Sequence, residues 1–183
     1  MTVTLDSLDR FIAAVRTDWG PISSELVANC RGHLDDLTAA DETEAWLAGL
    51  LAERPASREL HREPGGFMLL AHAEQMGLYR PPHDHGRAWV VYGVQSGALE
   101  IGTYARVEDS AGHRLVRRDT CVLRPGEARA YLPGDIHDTQ CLTEDALVFR
   151  FTERDLRHED QVEHKVTRFV ERDGAWVAPR SCG

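Results

Sequence analysis

After Pro55 the apolar residues of this chain change their spacing from about every 3.6 residues to every second one, and glycine-rich punctuation at EPGG, DSAGH, RPGE, LPGD and RDGAW cuts the remainder into short runs. A segment with period 2 cannot bury its apolar residues as a helix, so the switch confines helices to the front of the chain and strands to the rest. In front of the switch, Ser7 is the expected cap of a helix with Leu8, Phe11, Ile12 and Val15 on one stripe, and Pro21 is expected to open a second with Ile22, Leu26, Cys30 and Leu34. Asp41 with Glu44 three residues on has the spacing of a capping box before Trp46, Leu47, Leu50 and Leu51, and Arg54-Pro55 ends that segment.

Behind the switch, GALEIGTYARV alternates Leu99, Ile101, Thr103, Ala105 and Val107 against Glu100, Gly102, Tyr104 and Arg106, which predicts a strand with one buried face. Similar runs occur at 67–73, 88–95, 128–132, 146–152, 164–171 and 175–178. Many short strands with no helical period between them favour a sandwich or jelly-roll barrel over a parallel α/β sheet. A chain of 183 residues is long enough for one real core and short for two, so a single domain is expected, with helices over 1–55 and a β-barrel over 56–183. The mixed-charge stretch TERDLRHEDQVEHK (152–165) reads as a solvated connection.

The charge balance narrows the partner. Thirty Asp and Glu against 21 Lys and Arg give a net charge of -9, and phosphate neutralisation needs a basic face, so nucleic acid is not expected. No apolar run approaches a bilayer span, and MTVTLDSLDRFIAAV carries Asp6 and Asp9 where a secretion signal carries lysines; a cytoplasmic protein without a membrane role is expected, acting on a small molecule as a monomer or small homo-oligomer. Cys30, Cys121, Cys141 and Cys182 form no CxxC and are read as core or surface thiols, the last in a tail.

Within PPHDHGRAW, His83 and His85 are two apart on a strand, so both imidazoles point to one side with Asp84 turned away. With nine histidines in the chain, one such pair arises readily by chance. The context adds Gly77 six residues before His83, and a glycine turn, YLPGDIH, that delivers His137. Together GLYRPPHDH and PGDIH resemble the two motifs of the cupin superfamily, G-x5-H-x-H and a later P-G-x-x-H, which line the inside of a double-stranded β-helix. The resemblance implies a mainly β cupin jelly-roll barrel behind an N-terminal helical segment. It departs from most cupins in lacking the glutamate four or five residues after the second histidine, where Trp89 and Val90 stand, and so implies a three-histidine metal site of His83, His85 and His137. Such a set leaves coordination positions open, which suits redox chemistry at iron better than a closed structural zinc, and its uncompensated 2+ charge favours an anionic, chelating substrate such as a thiolate.

Within the superfamily the chain is most similar to cysteine dioxygenase and its thiol dioxygenase relatives, which share the helical N-terminus and the three histidines. The resemblance places Arg58, in RELHREPGGF, where those enzymes bind the substrate carboxylate, a role that suits the planar guanidinium fork. Where they carry a Ser-x-His-x-Tyr series, ALVFRFT offers Val148, Arg150 and Thr152, and alternation leaves open whether these or Leu147, Phe149 and Phe151 face the cavity. If the former do, Arg150 becomes a second substrate-binding candidate. His72 is expected to be a hydrogen-bonded structural histidine, and Trp89, Tyr92 and Tyr131 to wall the barrel. The expected activity is a mononuclear Fe(II) dioxygenase that uses dioxygen to oxidise a small thiol carboxylic acid, cysteine or similar, to its sulfinic acid. The alternatives are a cupin oxygenase cleaving a chelating carbon substrate such as a β-dicarbonyl, and a non-catalytic metal-binding sensor.

Overall fold

The three N-terminal helices are amphipathic, and their apolar stripes require a partner surface, which the following sheet supplies. In the computed structural model, which describes residues 5–109 and 112–179, they are α1 (Ser7–Asp18), α2 (Ser24–Thr38) and α3 (Ala45–Glu53). Each begins slightly away from its expected start. Asp6, not Ser7, caps α1 by accepting from Asp9 N at 2.8 Å, and Ser23, not Pro21, caps α2 by accepting from Leu26 N at 3.1 Å. The expected capping box at Asp41 does not form. Asp41 accepts from Thr43, while Glu44 turns its carboxylate to the Ser7 amide (2.8 Å), the Ser7 hydroxyl (2.6 Å) and the Trp46 indole (2.8 Å), tying α3 to the start of α1. Three donors, two from another helix and one from a neighbouring ring, outcompete a local cap.

Nine strands then build two antiparallel sheets. Their order along the chain is β1 (Arg58–Arg62), β2 (Met68–Glu74), β3 (Tyr79–His83), β4 (Val90–Ser96), β5 (Leu99–Asp109), β6 (Gly112–Leu123), β7 (Glu127–Tyr131), β8 (Ile136–Cys141) and β9 (Ala146–Thr152). One sheet runs β1-β2-β9-β4-β7 and the other β3-β8-β5-β6. The pairings β5 with β6, β4 with β7, β3 with β8 and β2 with β9 are nested one inside the next, as when a single long hairpin is rolled up. That nesting is the topology of the double-stranded β-helix, so the fold is mainly β, a cupin-type jelly roll preceded by helices. A short helix α4 (Leu156–Gln161) and a hairpin, β10 (Val170–Arg172) with β11 (Ala175–Val177), complete the described chain.

The five-stranded sheet has two differently occupied faces. Outward, Phe67, Leu69, Trp89, Val91, Phe149 and Phe151 pack against the stripes of the three helices in one apolar core. The approach is close: a Cβ on Gly93 would stand 2.7 Å from Thr38 Cγ2 and 3.0 Å from Leu34 Cγ, so α2 lies almost directly on β4. Inward, Val90, Tyr92, Val94, Tyr131 and Val148 face the other sheet's Leu99 and Ile101. Trp89 therefore does not wall the barrel as expected. It stands three residues from Tyr92, on the opposite face of the strand, and stacks among Phe151 and Trp19.

The stretch 152–165 is not merely solvated. Asp155 caps α4 with its carboxylate, and Glu159, only 1 % exposed, accepts from the Arg87 amide (3.0 Å), Nε (2.9 Å) and Nη2 (2.9 Å). A buried carboxylate needs such donors, and here they hold its pKa down at about 2. Cys30, Cys121 and Cys141 are free thiols, and Cys182 lies outside the described residues.

Candidate metal centre

His83 is the last residue of β3 and pairs across the ladder with His137 on β8, while His85 follows after one residue. Asp84 is turned away, as its parity requires. Its carboxylate accepts from Gly86 N (3.1 Å), Thr167 N (2.8 Å) and Arg106 Nη2 (3.2 Å), and its own amide donates to Thr167 O (3.0 Å). The turn that follows needs glycine: Gly86 has φ +62°, and a Cβ there would meet Lys165 Cβ at 2.8 Å and Glu159 Oε1 at 3.0 Å. The two flanking imidazoles are thus held by bonds made on the far side of the strand.

The ring centroids of His83, His85 and His137 form a nearly equilateral triangle with sides of 5.0, 4.8 and 5.0 Å, and one ring nitrogen from each lies within 4.8 Å of the others. His83 Nδ1 donates to Pro81 O at 2.8 Å, since a carbonyl can only accept, and this leaves Nε2 with a free lone pair toward the cluster. Burial lowers the pKa of all three, and the neighbouring rings lower His85 and His137 further, so the imidazoles are neutral donors at neutral pH. Adjacent nitrogens bound to one transition-metal ion at about 2.1 Å stand about 3.0–3.4 Å apart, so ring rotations that carry the nitrogens inward by up to about an ångström bring this set to an ion. The donors fit a metal of the iron, copper or zinc kind.

On one side the cluster opens into a cavity of about 390 Å³ lined also by Arg80, Arg150, Leu156, Arg168 and Phe169. Arg150 lies on β9 opposite Leu70 and Tyr92, on the inward face with Val148 and Thr152, which answers the question alternation leaves open. Its guanidinium has no ion pair, and its buried Nε no hydrogen-bond partner, among the described residues. Arg80 by contrast bonds the buried Glu74 at 2.5 Å. His72 faces the same interior. Its Nδ1 contacts Ala56 O at 3.2 Å, its Nε2 is without a partner among the described residues, and burial together with Arg150 drives its pKa down to about 3. Tyr92 reaches in from β4: its hydroxyl lies 3.2 Å from His85 Nε2 and 3.5 Å from His137 Nε2.

Arg58 is not brought to this cavity. It sits on the edge strand β1, two-fifths exposed, and its guanidinium is bonded to Glu53. The reason is topological: β1 pairs only with β2, beyond the strand that carries the inward residues His72 and Glu74. Arg80 and the Tyr92 hydroxyl are site groups that the sequence reading passed over. Strict alternation would put Arg80, an odd number of residues from both histidines, on the opposite face, but a β-bulge between Arg80 and His83 breaks that alternation, and Tyr92 read only as an apolar wall. The signal for Tyr92 was its odd separation from Trp89, which puts the two on opposite faces.

No family model matches the sequence, and no curated protein matches it. Among solved structures the chain is similar to KdgF from Halomonas sp., with 23% identity over 54% of this chain and 79% of that one at a TM-score of 0.44. It is also similar to the Schizosaccharomyces pombe Cnp3 cupin domain, with 11% identity over 57% and 68% at 0.43. Recombinant oxalate oxidase in complex with glycolate aligns at 25% identity over 54% of this chain and half of that one, at 0.41. These are likenesses of partial extent, and the nested pairing of the strands carries the fold assignment. No helix among the described residues is long and apolar enough to cross a membrane.

Proposed function

We propose that His83, His85 and His137 hold a single iron(II) ion and that the chain is a dioxygenase of small thiol carboxylic acids. One observation carries the reading: a cluster of three neutral imidazole donors, of which His83 and His85 line an open cavity, stands beside a guanidinium without a counter-charge on that same cavity. A half-buried cation without a counter-charge is held at a cost, and an anionic ligand relieves it. The resemblance to thiol dioxygenases points the same way, with the carboxylate role passing from Arg58 to Arg150.

The overall reaction balances without a further co-reactant. One thiol and one dioxygen give one sulfinic acid; sulfur loses four electrons, dioxygen takes up four, and both oxygen atoms end on sulfur. Iron, when bound, supplies the oxygen chemistry and favours the thiolate over the thiol. The chain's own contributions are positional. Arg150 offers two parallel N–H donors to the carboxylate, and Pro81 O, by accepting from His83 Nδ1, holds that ring with Nε2 inward. Leu156 and Phe169 give the cavity an apolar rim, which limits the water around the reacting atoms.

The test is metal analysis of the purified protein followed by oxygen uptake and mass spectrometry with cysteine, 3-mercaptopropionate and cysteamine. About one iron per chain and sulfinate from the two carboxylic acids, with cysteamine far slower, is the expected result. Cleavage of a β-dicarbonyl without thiol oxidation would replace this reading with a carbon-cleaving oxygenase. No oxygen uptake by fully iron-loaded protein would replace it with a metal-binding sensor.

A further inference from the structure

The carboxylate that most cupins place after the second histidine is absent here, yet an oxygen atom already stands among the donor nitrogens. Two atoms bound at about 2.1 Å to the same ion are separated by about 3.0 Å at a right angle and about 3.4 Å at a tetrahedral angle. The Tyr92 hydroxyl lies 3.2 Å from His85 Nε2 and 3.5 Å from His137 Nε2, the separations of neighbouring ligands around one ion.

Its surroundings hold it there. Tyr92 is buried at 7 % exposure in the middle of β4, paired with Arg129 on one side and Arg150 on the other, and its ring meets the Tyr131 ring at 6.0 Å and the His137 ring at 5.5 Å, both edge-on. A ring wedged between two strands and two aromatic neighbours cannot swing its hydroxyl away from the cluster without a vacancy to move into. We propose that Tyr92 is a fourth protein ligand, an oxygen donor that completes a three-histidine, one-tyrosine centre. The proposal rests on the reading of the histidines as a metal site and adds to it the identity of the fourth donor.

A consequence for substrate choice follows. A fourth protein donor occupies a position that the amine of cysteine would use in a chelate, so binding should depend on the thiol and on the carboxylate held by Arg150, not on the amine. 3-Mercaptopropionate is therefore expected to serve at least as well as cysteine.

Tyrosine bound to iron(III) gives an intense visible absorption band that histidine ligands alone do not give. The parent protein, loaded with iron and oxidised, is expected to show that band, and Tyr92→Phe, which keeps the ring and its packing, to lose it while still holding about one iron per chain. Tyr131→Phe removes the neighbouring hydroxyl and should leave the band in place. In competition with a chelator, Tyr92→Phe is expected to release zinc at roughly tenfold lower chelator concentration than the parent, in the range seen for loss of a supporting group at a metal site. An iron-loaded parent without the band, or a band that survives Tyr92→Phe, overturns the fourth ligand and leaves the three-histidine site standing. A parent that takes up no metal overturns both.

Discussion

Strand β9 carries two different interfaces on its two faces. Outward, Leu147, Phe149 and Phe151 are buried to within 1 % among helix side chains, and Phe151 alone meets the rings of Phe11, Trp19, Phe67 and Trp89 at 5.2 to 6.3 Å. Inward, Val148, Arg150 and Thr152 face the barrel interior, where the Arg150 Nε and the Thr152 hydroxyl have no hydrogen-bond partner among the described residues. One face has every contact made, and the other has donors and acceptors in want of a ligand. The contrast separates stability from function within a single strand, because apolar packing is complete in the absence of a ligand and polar satisfaction is not.

The largest expected effect attacks the outward face. Phe151→Ala should lose about 3–5 kcal/mol of unfolding free energy in urea, the usual cost of a large aromatic cavity, while the folded fraction keeps its iron stoichiometry. Loss of metal in step with stability would show that the two faces are not separable. Next, the interior should make the protein acid-sensitive through His72. Its pKa falls from 6.5 to about 3 on folding, so below pH 6.5 the unfolded chain binds a proton that the folded one refuses. The stability is fully present above pH 6.5 and is lost as pH falls toward 3, amounting to about 3 kcal/mol between pH 7 and pH 4 as an upper figure. Urea unfolding of His72→Gln should show a pH 7-to-pH 4 difference smaller than the parent's by most of that amount, the remainder coming from His83, His85 and His137.

Arg150→Met tests the inward face directly. Removing a cation without a counter-charge should leave urea stability within about 1 kcal/mol of the parent, or raise it, while the KM for a thiol carboxylic acid rises roughly 30-fold, the loss of about 2 kcal/mol from a charged hydrogen-bonded contact. An unchanged KM would remove Arg150 from substrate binding. The smallest effect is expected at Arg58. Its ion pair with Glu53 is exposed at the edge of the sheet, so Arg58→Gln should change stability by less than about 0.5 kcal/mol and leave KM where it was.

These contrasts also show what the sequence could and could not disclose. The three histidines were legible because parity alone puts His83 and His85 on one side, and because a glycine turn of the right form precedes His137. The strand alternation of 146–152 was equally legible, but it is symmetric: it says that two faces differ and not which one meets the helices. Arg58 was misplaced because a linear match to a motif does not reveal that β1 is an outer strand. The segment 152–165 looked solvated because its decisive pairing, Glu159 with Arg87, spans 72 residues and leaves no local pattern. β3 carries two prolines and a bulge, and its neighbourhood had to be seen in three dimensions.

The Asp84 carboxylate grips the backbone at Thr167 from a point between two of the proposed ligands, so the crossing over 165–169 is mechanically continuous with the histidine pair. A protease that nicked this crossing would leave both sheets and the helical core intact while freeing the strut behind the imidazoles. Limited digestion is therefore expected to release the ion well before circular dichroism registers any loss of strand.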